Sequence, residues 1–331
     1  MSTLSSGPNA LSGPRRRALL RAGLSAALAP LAACTPPQPA LRVGVIVFPG
    51  YEPLIAAREV GRLDPQRVRL VEMRSSTDTQ QALGVQHLEG AGMTLDEVLA
   101  ARADGLDLRV VAVLDESVGA DVVMARAPLR RPQDVAGRRV GVEAGAVSAV
   151  MLDAMLQHAG LGAADVIKVP ITQATAVRMW NERQLDAVVT CEPFASALAQ
   201  RGAVRLFDSQ AVPGRIVDVL AVTADAVAQQ PDAVRQLVAA HFEGLRLMQA
   251  QDPQATAAMA ARLRVPPAEL PAAFRGLQLP DAARNHALLD GGTLRQSAEA
   301  LRTLMLAQGL LPRDPGGLEA LTDARFLPGA A

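Results

Sequence analysis

Four carboxylates stand where short β-branched runs give way to a turn or a helix. Glu52 follows Leu41 to Phe48, Asp78 follows Val68 to Met73, Asp96 follows His87 to Met93, and Glu192 follows Leu185 to Thr190. In an open α/β sheet, ligands lie beyond the carboxyl ends of the strands, where loops and helix starts converge. Carboxylates placed there can move a proton or hold a cation. Against them stands Arg215, just before the run Ile216 to Val222, the one candidate for a bidentate grip on an anion. Tyr51, from a very small aromatic set, sits beside the first exit. Ser76, Thr77, Thr94 and Thr190 share these exits, and the turn Gly145-Ala146-Val147-Ser148 offers backbone N–H groups suited to an anionic group. Ser76, Thr77, Asp78, Thr94, Asp96 and Ser148 are also types that cap helices, so each can serve either the helix or a ligand. The acid excess points to a ligand with an amine or other cationic nitrogen, such as a zwitterion. Crowded carboxylates without a cation would repel one another.

Catalytic signatures are missing. His87, His158, His241 and His286 are isolated, with no His-Glu-x-x-His pair and no cysteine cluster for metal. There is no Gly-x-Ser-x-Gly elbow, no P-loop, and no Gly-x-Gly-x-x-Gly after a strand. Neither a metal nor a cofactor is expected, and the chain does not read as an enzyme.

The residues named above depend on an alternation of short strands and amphipathic stretches, the pattern of βα units and a largely parallel sheet. Strands are predicted at 41–48, 68–73, 87–93 and 106–114, with a first helix at 53–61. A second series follows, with strands at 121–125, 138–142, 165–170, 185–190 and 203–207 and helices at 148–158, 173–183 and 193–201. Residues 216–222 read as a strand returning to the first series, and helices at 231–249, 253–264, 267–276 and 293–309 complete the chain, most opened by proline. A chain that crosses to a second lobe and back has two hinge crossings and a cleft. Residues 41–117 and 219–331 are expected in lobe 1 and 118–218 in lobe 2. Asp115 and Asp218 fall near the crossings and are read as hinge residues; a carboxylate there can line the cleft or bond hinge backbone, and for Asp218 the hinge role is favoured.

The N-terminal stretch reads as an export signal. Arg15, Arg16, Arg17 and Arg21 lead into the apolar run Ala22 to Ala33, too short for the roughly 20 residues that span a bilayer. Leu31-Ala32-Ala33-Cys34 resembles the bacterial lipobox, which implies cleavage after residue 33 and a diacylglycerol on Cys34. Arg16-Arg17-Ala18-Leu19-Leu20-Arg21 resembles the twin-arginine signal. Residues 34–40, with Pro36, Pro37 and Pro39, form a stiff spacer. Cleavage removes four arginines and no acid, taking the formal charge from +0 to 29 − 33 = −4, which makes nucleic acid an unsuitable partner. Cys191 is then the only free thiol, so no internal disulfide forms and the fold rests on its core.

Eight segments, in order, carry a family resemblance: Gly50-Tyr51-Glu52-Pro53-Leu54, Ser76-Thr77-Asp78, Thr94-Leu95-Asp96, Gly119-Ala120-Asp121, 135–143, Gly145-Ala146-Val147-Ser148, 185–194 and 213–220. Together they resemble the nitrate/sulfonate/taurine-type solute-binding proteins of ABC importers, which have the type II periplasmic-binding fold. The resemblance implies an α/β, two-lobed protein with a helical C-terminal segment. It further implies a small-molecule ligand held in the cleft, delivery to a membrane permease with a cytoplasmic ATPase, attachment to the membrane through the lipid, a monomer, and a place in the periplasm or at the cell surface. Where relatives often carry tryptophan before Glu-Pro, this chain has Cys191. Two other readings share the fold: an enzyme of pyrimidine or menaquinone synthesis, and a lipoprotein that relays ligand occupancy to a sensor. The export signal and the lone Lys168, which matches no motif, weigh against the enzyme.

Overall fold

The computed structural model describes residues 38–143 and 146–329. The expected signal peptide, Cys34 and the turn residue Gly145 lie outside them. Two mixed sheets with helices packed against them form the body of the chain.

The first sheet has the order β11-β4-β10-β3-β1-β2. Its strands are β1 (Leu41–Val45), β2 (Val68–Glu72), β3 (Gly90–Thr94), β4 (Leu108–Ser117), β10 (Val217–Thr223) and β11 (Leu277–Gln278). The second has the order β7-β6-β8-β5-β9, with β5 (Val122–Ala125), β6 (Arg139–Glu143), β7 (Ile167–Ile171), β8 (Ala187–Thr190) and β9 (Val204–Asp208). Every strand expected from the sequence forms, with ends displaced by one to three residues. The sheets are less parallel than expected. β10 enters the first sheet antiparallel to both β3 and β4, and β5 lies antiparallel to β8 and β9. The cause is topological: a strand arriving from the other sheet enters from the opposite end. The two crossings are 118–121 and 209–216, so β10 does return as expected.

Near-continuous apolar runs explain why the inner strands β4, β5, β8 and β10 are buried on both faces, while the edge strands β2, β7 and β9 keep exposed positions. In β4, Leu108, Val110, Val111, Ala112, Val113 and Leu114 are each fully buried. β3 is an exception in composition, Gly-Ala-Gly-Met-Thr, and the neighbouring structure explains it. A Cβ on Gly92 would stand 3.2 Å from the Tyr51 ring, and one on Gly90 would stand 2.7 Å from Val222. Small residues here let other groups approach the sheet.

Among the helices, α1 (Glu52–Glu59), α2 (Ser76–Gly84), α3 (Leu95–Ala103), α4 (Ala146–Ala159), α5 (Gln173–Asn181) and α6 (Phe194–Ala199) begin at or just beyond strand ends. The C-terminal part adds α7 (Ala224–Gln229), α8 (Pro231–Gln249), α9 (Pro253–Leu263), α10 (Leu270–Ala273), α11 (Ala282–Leu289) and α12 (Thr293–Ala307). The helix expected at 267–276 is broken into a 3-10 turn, Pro267–Glu269, and short α10. Pro266, Pro267 and Pro271 supply no backbone donors for a continuous ladder. Helices α1 and α8 cross so closely that a Cβ on Gly244 would fall 1.8 Å from the Pro53 carbonyl oxygen. Buried Asn285 of α11 completes the edge of β4, accepting from Val113 N at 2.7 Å and donating to Val113 O at 3.1 Å. In the second lobe, Trp180 is buried with the Arg126 guanidinium 4.0 Å from its ring centroid. No helix among the described residues is long and apolar enough to cross a membrane.

Candidate functional site

A cleft opens where the carboxyl ends of the two sheets face each other, with about 550 Å³ of free space when the open solvent at its mouth is included. One side is formed by Ile46, Phe48, Tyr51, Ser76, Thr94 and Glu97, with Asp218 from β10. The other is formed by Asp121, Glu143, Val147, Ser148, Gln173, Val189, Thr190 and Cys191. Four of these residues are carboxylates, and none of the described lining residues is lysine or arginine.

Each carboxylate is placed by its own element. Glu97 lies in the first turn of α3 and accepts from Thr94 N at 3.0 Å, satisfying a helix-end donor. Asp121 ends the first crossing, where its N–H reaches Ser117 Oγ at 3.2 Å. The hydroxyls of Ser117 and Ser209 stand 2.8 Å apart, and Gly119 N donates to Ser209 Oγ at 2.6 Å, so the two crossings are tied through buried serines. Glu143 is the last residue of β6. Asp218 is the second residue of β10, and its Oδ1 accepts the Tyr51 hydroxyl at 2.5 Å. Phe48 packs edge-on to Tyr51, with ring centroids 5.3 Å apart at 72°.

Burial raises the pKa of all four, because the charged form loses its water. Asp121 is pushed up to about 6, with Ser117 pulling the other way. Glu143 reaches about 7 through burial and the charge of Glu97 across the cleft. Asp218 is raised well above the ordinary range by burial and then by Asp115, while the Tyr51 hydrogen bond opposes this. Glu97 is raised by burial against the Thr94 and Ser76 hydrogen bonds. Among the described lining residues three oxygens are left without a partner: Glu143 Oε1 and Asp121 Oδ2, both of carboxylates, and the Thr94 hydroxyl. The two acids are only 8% and 6% exposed.

Of the expected ligand residues, Tyr51, Ser76, Thr94, Val147, Ser148 and Thr190 come together at the cleft. Ala146 begins α4 beside them. Asp218, expected at the hinge, also faces the cavity. Asp115 does not. It lies opposite Asp218 in the β4–β10 register, fully buried, with neither carboxyl oxygen partnered. The missing side chain of Gly50 makes room for it, since a Cβ there would sit 1.7 Å from Asp115 Oδ2.

Six expected ligand residues lie outside the cavity wall. Glu52 is wholly buried behind it and bound to Arg262, which also donates to Ile46 O at 2.7 Å and Glu72 Oε2 at 2.8 Å. Glu192 turns away to cap α6, accepting from Ser196 N at 3.1 Å and Ser196 Oγ at 2.9 Å. Asp96 is buried beneath the first turn of α3, where burial and the neighbouring Glu97 push it up to about 8. Thr77 and Asp78 fall within the first turn of α2 without reaching the cavity, and the cap there is Ser75, which accepts from Asp78 N at 3.1 Å. Arg215 sits half-buried on the second crossing, away from the wall. In their place stand Glu97, Asp121, Glu143 and Gln173. Glu143 could have been found by the strand-end rule, being the last residue of a predicted strand–turn unit. Asp121 closes the Gly-Ala-Asp segment at the crossing. Gln173 is held by the Thr190 hydroxyl, which donates to its Oε1 at 2.8 Å.

Comparison with known proteins shows a shared fold and a family. The profile of the NMT1-like family matches residues 34–264. Over 148 residues the chain is 28% identical to a protein assigned to aliphatic sulfonate binding in Escherichia coli (strain K12), a match spanning 44% of this chain and 46% of that relative. Among solved structures, the alkanesulfonate-binding protein SsuA of Xanthomonas axonopodis pv. citri, bound to MOPS, superposes with a TM-score of 0.73. That match covers 87% of this chain and 99% of that one at 20% identity. The desulfurization enzyme DszB shares the fold at a TM-score of 0.59 and 18% identity, over 87% of this chain and 97% of its own.

Proposed function

The chain belongs to the NMT1-like family, and from that premise and the acid-lined cleft we propose that it is the solute-binding component of an ATP-driven importer whose solute carries a protonated nitrogen. One observation carries the choice of solute: Glu97, Asp121, Glu143 and Asp218 line the cleft, and no described lysine or arginine does. A bare sulfonate or nitrate would meet four acids and no cation there. A cation relieves their mutual repulsion and supplies the partner that burial otherwise denies them. Ile46, Phe48, Val147 and Val189 give the remaining wall an apolar surface for the organic part of the solute.

Capture proceeds by closure of residues 118–218 against 41–117 and 219–331 about the two crossings. The permease then reads the closed form. Cys34 holds the protein to the membrane through its diacylglycerol, outside the cytoplasm, and a monomer suffices because both walls come from one chain. The enzyme alternative would need a nucleophile. Cys191 is the thiol in the wall, but burial and then Asp121 and Asp218 hold its pKa well above the ordinary thiol value, which opposes the thiolate. Relay to a sensor uses the same cleft and differs only in the membrane partner.

A thermal-shift panel of amines, amino-sulfonates, sulfonates, nitrate and pyrimidines tests the reading. A ligand at about 100 times its dissociation constant adds about 2.7 kcal/mol of stability. Stabilisation by amine-bearing compounds is the expected outcome. Stabilisation by amine-free anions alone would overturn it.

A further inference from the structure

The orphaned oxygens narrow the solute further, on the basis of the cationic-solute reading above. We infer that the cationic nitrogen must carry N–H groups, and that Asp121 and Glu143 are the residues that select it over a fully alkylated ammonium. Positive charge alone would satisfy the Coulomb energy of the cleft. It would not satisfy Asp121 Oδ2 and Glu143 Oε1, which are buried, line the cavity and have no donor among the described residues. A buried acceptor left without a donor costs free energy whether or not a positive charge stands nearby. A primary ammonium offers three donors and an amidinium or guanidinium offers several in a plane, so either has donors to spare for both acceptors.

The wall also lacks the alternative device. Quaternary ammonium groups are recognised by cages of aromatic faces. Here the described lining aromatics are Phe48 and Tyr51, almost wholly buried and packed edge to face on each other, and the Tyr51 hydroxyl is committed to Asp218. Their edge-to-face packing does not build the facing walls of a cage. The two selecting oxygens sit on the same lobe, at the end of the first crossing and the end of β6. The far wall contributes Asp218, bound by the Tyr51 hydroxyl, and Glu97, whose carboxylate is already shared with the helix end at Thr94. Selection therefore belongs to residues 118–218, and Glu97 completes the cation's shell on closure.

Matched probes test this in the full-length protein. Calorimetric titration with benzylamine, benzamidine and benzyltrimethylammonium varies the N–H count at constant charge and similar ring size. The two N–H-bearing probes are expected to bind roughly tenfold or more tightly than the trimethylated one, the loss set by two buried acceptors without donors. Asp121→Asn and Glu143→Gln should each shrink that preference, with unliganded melting temperature measured alongside to show that the fold persists. Equal affinity for the three probes would overturn the selection while leaving the cationic reading in place. Failure of every cationic probe, with binding of benzenesulfonate, would remove the reading on which the inference rests.

Discussion

The Tyr51 hydroxyl and Asp218 Oδ1, 2.5 Å apart and both buried, join the turn after the first strand to the first residues of the strand that returns from the second lobe. Their union places an aromatic wall and an acid wall at the hinge end of the cleft. Gly92 permits it by leaving the Tyr51 ring room to lie against β3.

Tyr51→Phe keeps the ring and removes only the donor. Asp218, already raised by burial and by Asp115, then loses the hydrogen bond that favours its charged form. The variant is expected to be less stable by about 1–3 kcal/mol, the cost of an unsatisfied buried acceptor. Urea unfolding at neutral pH measures it, and an unchanged midpoint would remove Tyr51 from the hinge.

Glu52 is a structural group, held by Arg262 rather than by a solute. Arg262→Ala leaves its carboxylate buried and unpaired, so a loss of about 3–5 kcal/mol is expected. The double variant Glu52→Gln, Arg262→Met should recover much of that loss. A deficit in the double variant as large as in the single one would count against the pairing.

Glu192→Gln weakens a cap on α6 and is expected to cost about 0.5–2 kcal/mol, with affinity for amines unchanged. A parallel titration of Glu143→Gln should lose affinity instead. Identical binding losses in the two would mean that Glu192 reaches the solute after all.

The unliganded protein should become less stable as pH rises from about 6.5 to about 8.5. Glu52 and Glu143 near 7 and Asp96 near 8 hold protons in the fold that the unfolded chain has already released, so unfolding loses protons and stability falls with pH. Each group contributes at most about 1.4 kcal/mol per pH unit while its folded form stays protonated. His241, buried without a partner and pushed down to about 3, works in the other direction only below about 6.5, where the unfolded chain binds the proton. Melting temperatures across this window check the sign, and a rise with pH would contradict it.

The fold was legible because most of its inner strands are buried apolar runs and its helices open at prolines and capping residues. Pro231–Gln249 was read to the residue, since Pro231 sets its start and Leu237, Val238, His241 and Leu245 share its inner face. The site was legible only in outline. The strand-end rule led to loops that line the cleft, but not to which carboxylate in each loop turns inward. Glu52 and Glu192 each stand directly before a proline at a helix start and look like ligand groups. One is claimed by Arg262, 210 residues further along the chain, and the other by the helix it precedes. Neither partner shows in local spacing. Glu97 was hidden as the third residue of a helix whose exit loop drew attention to Asp96. Asp121 was read within a family segment, yet its role depends on the serine-tied crossings that only the fold reveals.

The account stands most directly on what the cleft holds when the protein leaves the cell that made it. Native mass spectrometry of protein purified without denaturation weighs that molecule. The account expects an organic compound with a protonated nitrogen, retained by the wild type and lost from Glu143→Gln and Asp121→Asn. A retained sulfonate or nitrate without any amine, bound equally by all three proteins, would contradict it.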